Sequence, residues 1–194
     1  SADVSGAAYP VTIDPDFASG TGDKAANTYS ATSWLDAWDN TPGSENATGT
    51  NADIGCITGW YDTRYLLLFD TSSIGAGGSV TQVNLKMRFN YGNSPTIEIA
   101  KFNWDGLTKA QWWSGLLTAD ADDSVWHTGS MSAGTVYTSG NLSTAWINKT
   151  GTTYYGIRTD FQRTGTDPLA NNYASIATAN NATESYRPVL TVTY

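Results

Sequence analysis

Tryptophan and tyrosine are abundant in this chain, and their rings are the side chains best suited to recognise a ligand. The 194 residues include eight Trp and 11 Tyr. An exposed aromatic ring stacks on the apolar face of a sugar, while nearby Asn, Asp and Arg side chains bind its hydroxyl groups. We therefore predict a carbohydrate site among Trp104, Trp112, Trp113 and Trp126. Large aromatic residues also fill cores, so burial of most of these rings is the alternative.

Trp112 and Trp113 are adjacent in the segment Thr108 to Leu117, which we predict to be helical. Neighbouring residues of a helix point about 100° apart, so at most one of the two rings is expected to face fully inward. The other would be exposed, as a platform for a sugar or as a contact with another subunit. Thr108 is placed to cap the helix, and Gly115 weakens its end.

Acidic side chains cluster at Asp120, Asp122 and Asp123. Hard cations such as Ca²⁺ bind clustered oxygen ligands, so these three residues are the candidate metal site. Their spacing does not match an EF-hand loop, and a solvated acidic turn is the alternative. We predict that no cofactor is required and keep a structural Ca²⁺ as an open alternative.

The sequence carries no recognisable catalytic motif. His127 is the single histidine, and in a predicted strand a structural hydrogen bond is its simpler role. A nucleophile elbow, a zinc-binding His pair and a phosphate-cradling Gly loop are all missing. A glycosidase needs a paired acid and base, and the three glutamates cannot be paired from sequence alone. We therefore predict that the protein is not an enzyme, with a polysaccharide-active enzyme as the last alternative.

Two strand patterns determine the predicted architecture. Arg64 to Asp70 is a short, mostly apolar run, typical of a strand buried on both faces. Apolar and polar residues alternate from Val80 to Tyr91, which predicts a strand with one buried face. The apolar residues expected on that face are Val83, Leu85, Met87, Phe89 and Tyr91. A Gly-rich turn joins the two segments, which indicates a sandwich of two sheets.

Short strands separated by turn-forming residues are predicted along the rest of the chain. Charged residues make up only 14%, while Gly, Thr, Ser and Asn are abundant, as in all-β proteins with many turns. We predict an all-β, jelly-roll-like antiparallel β-sandwich with one or two short helices. The length suits one domain, which we place at residues 9–194 after an N-terminal arm at residues 1–8.

Charge and hydropathy exclude some classes of partner. The net charge is −8 and the ten Lys and Arg are scattered along the sequence, which argues against nucleic acid. No run approaches the roughly 20 apolar residues of a membrane span. The single cysteine, Cys56, has apolar neighbours and is expected to be a buried, inert thiol, with a cross-link between subunits as the alternative. The first residue is Ser rather than Met, so we expect a processed, exported product.

The amino end and four sequons suggest further contacts. A Gly- and Ala-rich end frays unless something holds it, and a neighbouring chain could do so by adding a strand to a sheet edge. Docking on its own domain is the alternative. The candidate assembly residues are Ser1, Ala2, Asp3, Val4 and Tyr9. N-glycosylation sequons, some expected by chance in such a chain, begin at Asn46, Asn141, Asn148 and Asn181.

Four segments, in order, resemble one family. They are Arg64 to Ile74, Val80 to Met87, Leu142 to Ile157 and the closing Arg187 to Tyr194. Together they are similar to the DNRLRE domain, which is related to disaggregatase-type repeats and to some carbohydrate-binding modules. The Trp112-Trp113 pair is an addition to that pattern. The resemblance implies a jelly-roll-like sandwich on secreted, cell-surface or virion proteins, without catalysis, and with carbohydrate or calcium bound by some members.

Two hypotheses about function follow from these features. The first is a structural surface subunit of a virion or an extracellular appendage such as a filament, which associates with itself or with other surface proteins and is adhesive where it contacts glycan. The second is a monomeric, secreted carbohydrate-binding module. A subunit should bury its arm or its edge strands against another copy over at least about 1,000 Å², whereas a module should carry an open aromatic groove.

Overall fold

The computed structural model describes residues 16–20, 22–28, 33, 37–38, 44–46, 49–57, 61–93, 95–127, 129–168 and 171–194, and for residues 44–46, 123–125 and 127 it describes the backbone alone. The strands are β1 (Asp16–Ala18), β2 (Lys24–Asn27), β3 (Ser44–Asn46), β4 (Asn51–Ile57), β5 (Tyr61–Asp70), β6 (Gln82–Asn93), β7 (Ile97–Lys101), β8 (Ala121–His127), β9 (Ser130–Met131), β10 (Thr135–Thr138), β11 (Thr152–Thr159), β12 (Asn172–Ala177) and β13 (Val189–Thr193). The helices are α1 (Lys109–Thr118) and α2 (Asp160–Thr164), and single 3₁₀ turns lie at Ser72–Ile74, Thr144–Trp146 and Glu184–Tyr186.

Two antiparallel layers face each other across one core. The first layer runs β1-β13-β6-β12-β4, with β9 and β10 paired to the other edge of β6. The second layer contains β2, β5, β11, β7 and β8, and β3 extends it beyond β2. β4 also pairs with the start of β5, so one hydrogen-bonded ladder connects the layers. The predicted all-β antiparallel sandwich with short helices is confirmed.

Strand β5 is buried on both faces, as its apolar run predicts. Leu67 and Phe69 point into the core between the layers, whereas Leu66 and Leu68 pack beneath helix α1. Strand β7 completes the central core with Ile97 and Ile99, and β11 with Tyr155 and Ile157. The second layer is therefore covered on both sides, by the first layer and by the helix.

Helix α1 lies across the outer face of the second layer. Thr108 caps it as predicted: its hydroxyl accepts the Gln111 backbone N–H at 3.4 Å, and the Gln111 side chain accepts the Thr108 N–H at 2.9 Å. Gly156 in β11 lets the helix approach closely, because a Cβ there would overlap the Leu116 side chain. The helix is thus fixed over one sheet face, and the opposite face of the sandwich is left uncovered by it.

The alternation in β6 holds for Val83, Leu85, Met87 and Phe89, which are all buried, but the prediction for Tyr91 is wrong. Phe89 pairs with Ile176 and Tyr91 pairs with Ser175, so one extra residue, Asn90, is inserted in β6. Such a bulge reverses the side-chain phase beyond it. Tyr91 therefore points outward and is 49% exposed.

Candidate functional site

All four tryptophans predicted to bind carbohydrate are buried. Their exposed fractions are 0% for Trp112, 2% for Trp113, 5% for Trp104 and 7% for Trp126. The prediction that either Trp112 or Trp113 is exposed is therefore wrong, and none of the four presents a face to a sugar. Trp126 packs against Phe89 in the central core, and the Trp104 indole N–H donates to the Leu67 carbonyl at 3.2 Å.

The adjacent pair is buried because α1 is covered on more than one side. Trp112 and Trp113 both belong to a second apolar cluster, in which Phe102 and Trp104 contribute contacts beside the helix. The Arg64 guanidinium closes the remaining side, since it lies 3.7 Å from the centre of the Trp113 ring. The helix therefore buries two neighbouring side chains, Trp112 and Trp113, instead of only the face that rests on the sheet.

Of the three predicted metal residues, the structure describes the side chains of Asp120 and Asp122 and only the backbone of Asp123. Asp120 is exposed, Asp122 accepts the backbone N–H of Ser143 at 2.9 Å, and the backbone of Asp123 pairs with Ile99. Within the described part of the chain, no group of three or more His, Cys, Asp or Glu side chains is arranged to hold a metal ion. The Ca²⁺ site stays a prediction without a structural counterpart in these residues.

Two buried arginines bind the carbonyl end of helix α1. Arg64 donates to the Trp113 carbonyl, and Arg158 donates to the carbonyls of Leu116 and, at 3.0 Å, Leu117. These carbonyls belong to the last turns of the helix, whose end carries a partial negative charge. Arg158 therefore satisfies two carbonyls that the helix leaves without internal partners, whereas Arg64 binds a carbonyl one turn earlier.

Buried carboxylates neutralise those arginines, since the side chains of Asp62 and Glu98 are 0% and 1% exposed. Asp62 accepts from Arg64 at 2.6 Å and also accepts the side-chain amide of Gln162. Glu98 accepts from Arg158 and from Arg163, each at 2.9 Å. Burial raises the pKa of Asp62 and lowers the pKa of Arg64, while the attraction between the two charges opposes both effects. These pairs anchor the helix to the sheet.

The structure describes the Cys56 side chain but only the backbone of His127. Cys56 is a free thiol and only 2% exposed, as predicted. Burial, with the nearby charges of Asp62 and Asp167, raises the pKa of Cys56 to about 12. The thiolate that oxidation or cross-linking requires is therefore scarce at neutral pH. His127 lies in β8, as predicted, and its side chain is outside the described atoms.

The outer face of the first layer carries an exposed tyrosine, Tyr91, and a half-buried one, Tyr173, which sequence reasoning missed. Tyr91 lies beside Tyr173, with ring centres 5.5 Å apart and ring planes at 47°. On the same face the Asn90 amide donates to the Asn51 side chain at 2.8 Å. We call Tyr91, Tyr173, Asn90, Asn51 and Asp53 the tyrosine platform.

The backbone beneath the platform explains its geometry. Gly55 pairs with Tyr173 and has φ of 113°, and a Cβ there would overlap the Asn172 carbonyl. Only glycine permits that conformation next to β12. Burial raises the pKa of Asp53, and its hydrogen bond with Ser175 opposes that rise. The platform thus places two rings beside amide donors and carbonyl or carboxyl acceptors.

The sequons differ in solvent exposure, and the N-terminal arm lies outside the described residues. Asn141 and Asn148 are exposed, whereas Asn181 is half-buried and its amide donates to the Thr50 carbonyl at 3.2 Å. Asn46 lies in β3, where only the backbone is described. The candidate assembly residues Ser1, Ala2, Asp3, Val4 and Tyr9 lie outside the described residues. Glycosylation and assembly through these residues stay predictions.

Two signals could have pointed to the missed features. Tyr91 and Tyr173 are strand residues in segments rich in Asn, although the bulge that turns Tyr91 outward depends on pairing with β12. Helix α2 was not predicted, yet Thr159 and Gln162 have the spacing of a capping box and form one. A helix start can therefore be recognised from residues three apart in the sequence, whereas the exposure of Tyr91 depends on strand pairing.

Comparisons with known proteins return no match: neither a protein-family model nor a curated protein sequence matches this chain. The resemblance to the DNRLRE domain therefore stays a prediction from the quoted segments. No helix among the residues that the structure describes has the length and apolar character to cross a bilayer.

Proposed function

We propose that this protein is a non-catalytic surface protein that works outside the cell or on a virion and contacts polysaccharide through the tyrosine platform. Its sandwich serves as a rigid support, and the outer face of the first layer, which helix α1 does not cover, serves for contact. A monomeric carbohydrate-binding module and a repeating subunit both fit this description, and they differ in assembly rather than in the contact face.

The observation that carries this proposal is the difference between the two outer sheet faces. Helix α1 and its tryptophans seal the second layer, with Trp112 completely buried. The first layer instead exposes Tyr91. On the same surface, the Asn90 and Asn51 side chains are joined by a hydrogen bond. Exposed rings flanked by amides suit a ligand that has both apolar faces and hydroxyl groups.

Tyr91→Ala is expected to weaken binding to a recognised polysaccharide by about fivefold or more, because loss of an aromatic contact costs about 1 kcal/mol or more. The measurement is native affinity electrophoresis against a panel of soluble polysaccharides, after a glycan array identifies binders. Tyr91→Phe is the matched control, since it keeps the ring and removes only the hydroxyl group. It should retain most of the affinity.

Stability must be measured in parallel, because the platform rests on the sheet. Tyr91 is half exposed, so neither substitution should shift the unfolding midpoint substantially. If the array shows no binder, or if Tyr91→Ala and Tyr91→Phe bind as well as the wild-type protein, the proposed contact face is wrong.

The repeating subunit is favoured by one feature, the outer edge of β10. Among the described residues β10 pairs with β6 alone, and Val136 on it is 51% exposed. Alternate residues of an antiparallel strand turn their backbone groups away from the partner strand. Such an edge can accept a strand from another chain.

Val136→Lys is expected to reduce self-association, because a charged side chain on an edge strand discourages further pairing. Size-exclusion chromatography with light scattering on the wild-type chain should give a discrete oligomer, which the substitution shifts toward monomer. Ala182→Lys adds the same charge at an exposed turn and should leave the oligomer intact. A wild-type monomer that binds glycan would instead identify a carbohydrate-binding module.

A further inference from the structure

A groove of about 280 Å³ opens on the same sheet face as the tyrosine platform, on the side of β13 and β10. Its lining includes Asp16, Lys86, Arg88, Val136, Tyr186 and Val189, and we call it the Tyr186 groove. Strand pairing places these side chains together: Lys86 pairs with Val189, and Arg88 pairs with Val136.

The groove is continuous with the platform through polar side chains. Arg88 lies 3.5 Å from the centre of the Tyr186 ring and donates to the Gly134 carbonyl at 3.2 Å. A second guanidinium nitrogen of Arg88 donates to the side-chain oxygen of Asn90 at 3.4 Å. Asn90 belongs to the platform. A chain-like ligand on the platform can therefore extend into the groove along β6.

Two of the three cationic side chains that line the groove, Lys86 and Arg187, have a carboxylate partner. Lys86 lies 3.6 Å from Asp16, and Arg187 lies 4.0 Å from Glu184. The Asp16 carboxylate also accepts the Thr191 hydroxyl at 2.6 Å. A polyanion would meet the Asp16 carboxylate in the groove and the exposed Glu184 carboxylate next to Arg187. It would also be repelled by a chain with a net charge of −8.

Donors and acceptors alternate around an apolar floor, which matches hydroxyl groups rather than a single charge. Lys86 and Arg88 donate, Asp16 accepts, and Val136 and Val189 supply apolar contact. A sugar hydroxyl both donates and accepts, and a pyranose also has apolar C–H faces. The volume lies just below the roughly 300–1,000 Å³ of sites for drug-sized ligands, so the groove suits one or two sugar rings.

We infer that the Tyr186 groove is a second subsite for the same polysaccharide, and that it selects an uncharged, hydroxyl-rich chain over an acidic one. This inference rests on the proposed function. Asp16 and Lys86 are the residues expected to determine the selection, Asp16 by accepting from sugar hydroxyls and Lys86 by donating to them.

The test compares neutral polymers (dextran, β-glucan and galactomannan) with acidic ones (polygalacturonate and dextran sulfate) by affinity electrophoresis. Asp16→Ala and Lys86→Ala are each expected to weaken binding to a neutral polymer about fivefold to tenfold. Lys101→Ala is the matched control, because it removes a lysine from β7 in the other layer. Neutral binding should be the same in about 0.05 M and about 0.5 M NaCl.

The outcomes separate this inference from the function on which it rests. Neutral binding that Tyr91→Ala weakens while Asp16→Ala and Lys86→Ala leave it unchanged overturns the subsite and keeps the platform. Salt-sensitive binding to the acidic polymers alone overturns the selection for uncharged chains. Binding to no polymer overturns both, and weakening by Asp16→Ala and Lys86→Ala, with Lys101→Ala unchanged, supports both.

Discussion

Arg64→Ala is expected to lower the free energy of unfolding by about 3–5 kcal/mol, because it leaves a buried carboxylate without its cationic partner. Arg64 and Asp62 are both completely buried, and their side chains are 2.6 Å apart. The substitution also removes the donor to the Trp113 carbonyl and the donor to the Trp38 carbonyl at 3.0 Å. Both carbonyls would then lack that partner, and the Trp113 carbonyl would lack it in the buried interior.

Denaturant unfolding followed by tryptophan fluorescence measures this loss, since Arg64 stacks on the Trp113 ring. Arg64→Lys keeps the charge but replaces the planar guanidinium and its five N–H donors with a compact ammonium group, so an intermediate loss is expected. It also provides a measurement if Arg64→Ala does not fold.

The double variant Asp62→Asn with Arg64→Met separates the charge from the packing. Replacing a buried pair by groups of similar volume is often close to neutral, and an asparagine oxygen can still accept from Gln162. The double variant should therefore be more stable than Arg64→Ala. If it is less stable, or if Arg64→Ala costs under about 1 kcal/mol, Arg64 does not anchor the helix through a buried charge.

The sequence predicts those elements whose burial follows from their own pattern. The run from Arg64 to Asp70 is apolar at successive positions, so its burial on both faces does not depend on which strands lie beside it. The alternation in β6 likewise predicts the inward residues up to Phe89. Thr108 is recognisable because capping is chemistry between residues three apart.

The candidate site could not be predicted in the same way, because it depends on cross-strand pairing. The outward turn of Tyr91 requires an extra residue opposite Ser175 and Ile176, and nothing local to β6 marks that position. The burial of Trp113 depends on Arg64, which lies 49 residues earlier in the chain. Residue type alone therefore predicts a sugar site at tryptophans that are in fact buried. Local periodicity alone places Tyr91 in the core, although it is exposed.

Asp23 is expected to make the protein less stable as the pH rises from about 4 to about 7. Its side chain is 2% exposed, and it accepts the Tyr65 hydroxyl and, at 3.1 Å, the Ala179 backbone N–H. Burial raises the pKa of Asp23 from its ordinary value of 3.8 to about 7, and the bond from Ala179 opposes the rise. Between these two values the folded protein holds a proton that the unfolded chain has released, so stability falls with increasing pH.

The size of the effect follows from the same pKa values. Each pKa unit corresponds to about 1.4 kcal/mol, so the stability that Asp23 withdraws approaches about 4 kcal/mol once the pH exceeds 7. Asp23→Asn removes the titration and keeps a side-chain acceptor. The wild-type free energy of unfolding minus that of Asp23→Asn should therefore fall between pH 4 and pH 7 and level off above, as measured by urea unfolding at each pH.

Asp70→Asn provides a control with the opposite sign. Hydrogen bonds with the Ser72 side chain and the Ser72 backbone N–H lower the pKa of Asp70. Its contribution to stability is present above its ordinary pKa and is lost as the pH falls through its folded value, so the difference between wild type and Asp70→Asn should grow with pH in the acid range. A difference for Asp23→Asn that is flat or rises between pH 4 and pH 7 would show that the Asp23 carboxyl is already ionised in the folded protein.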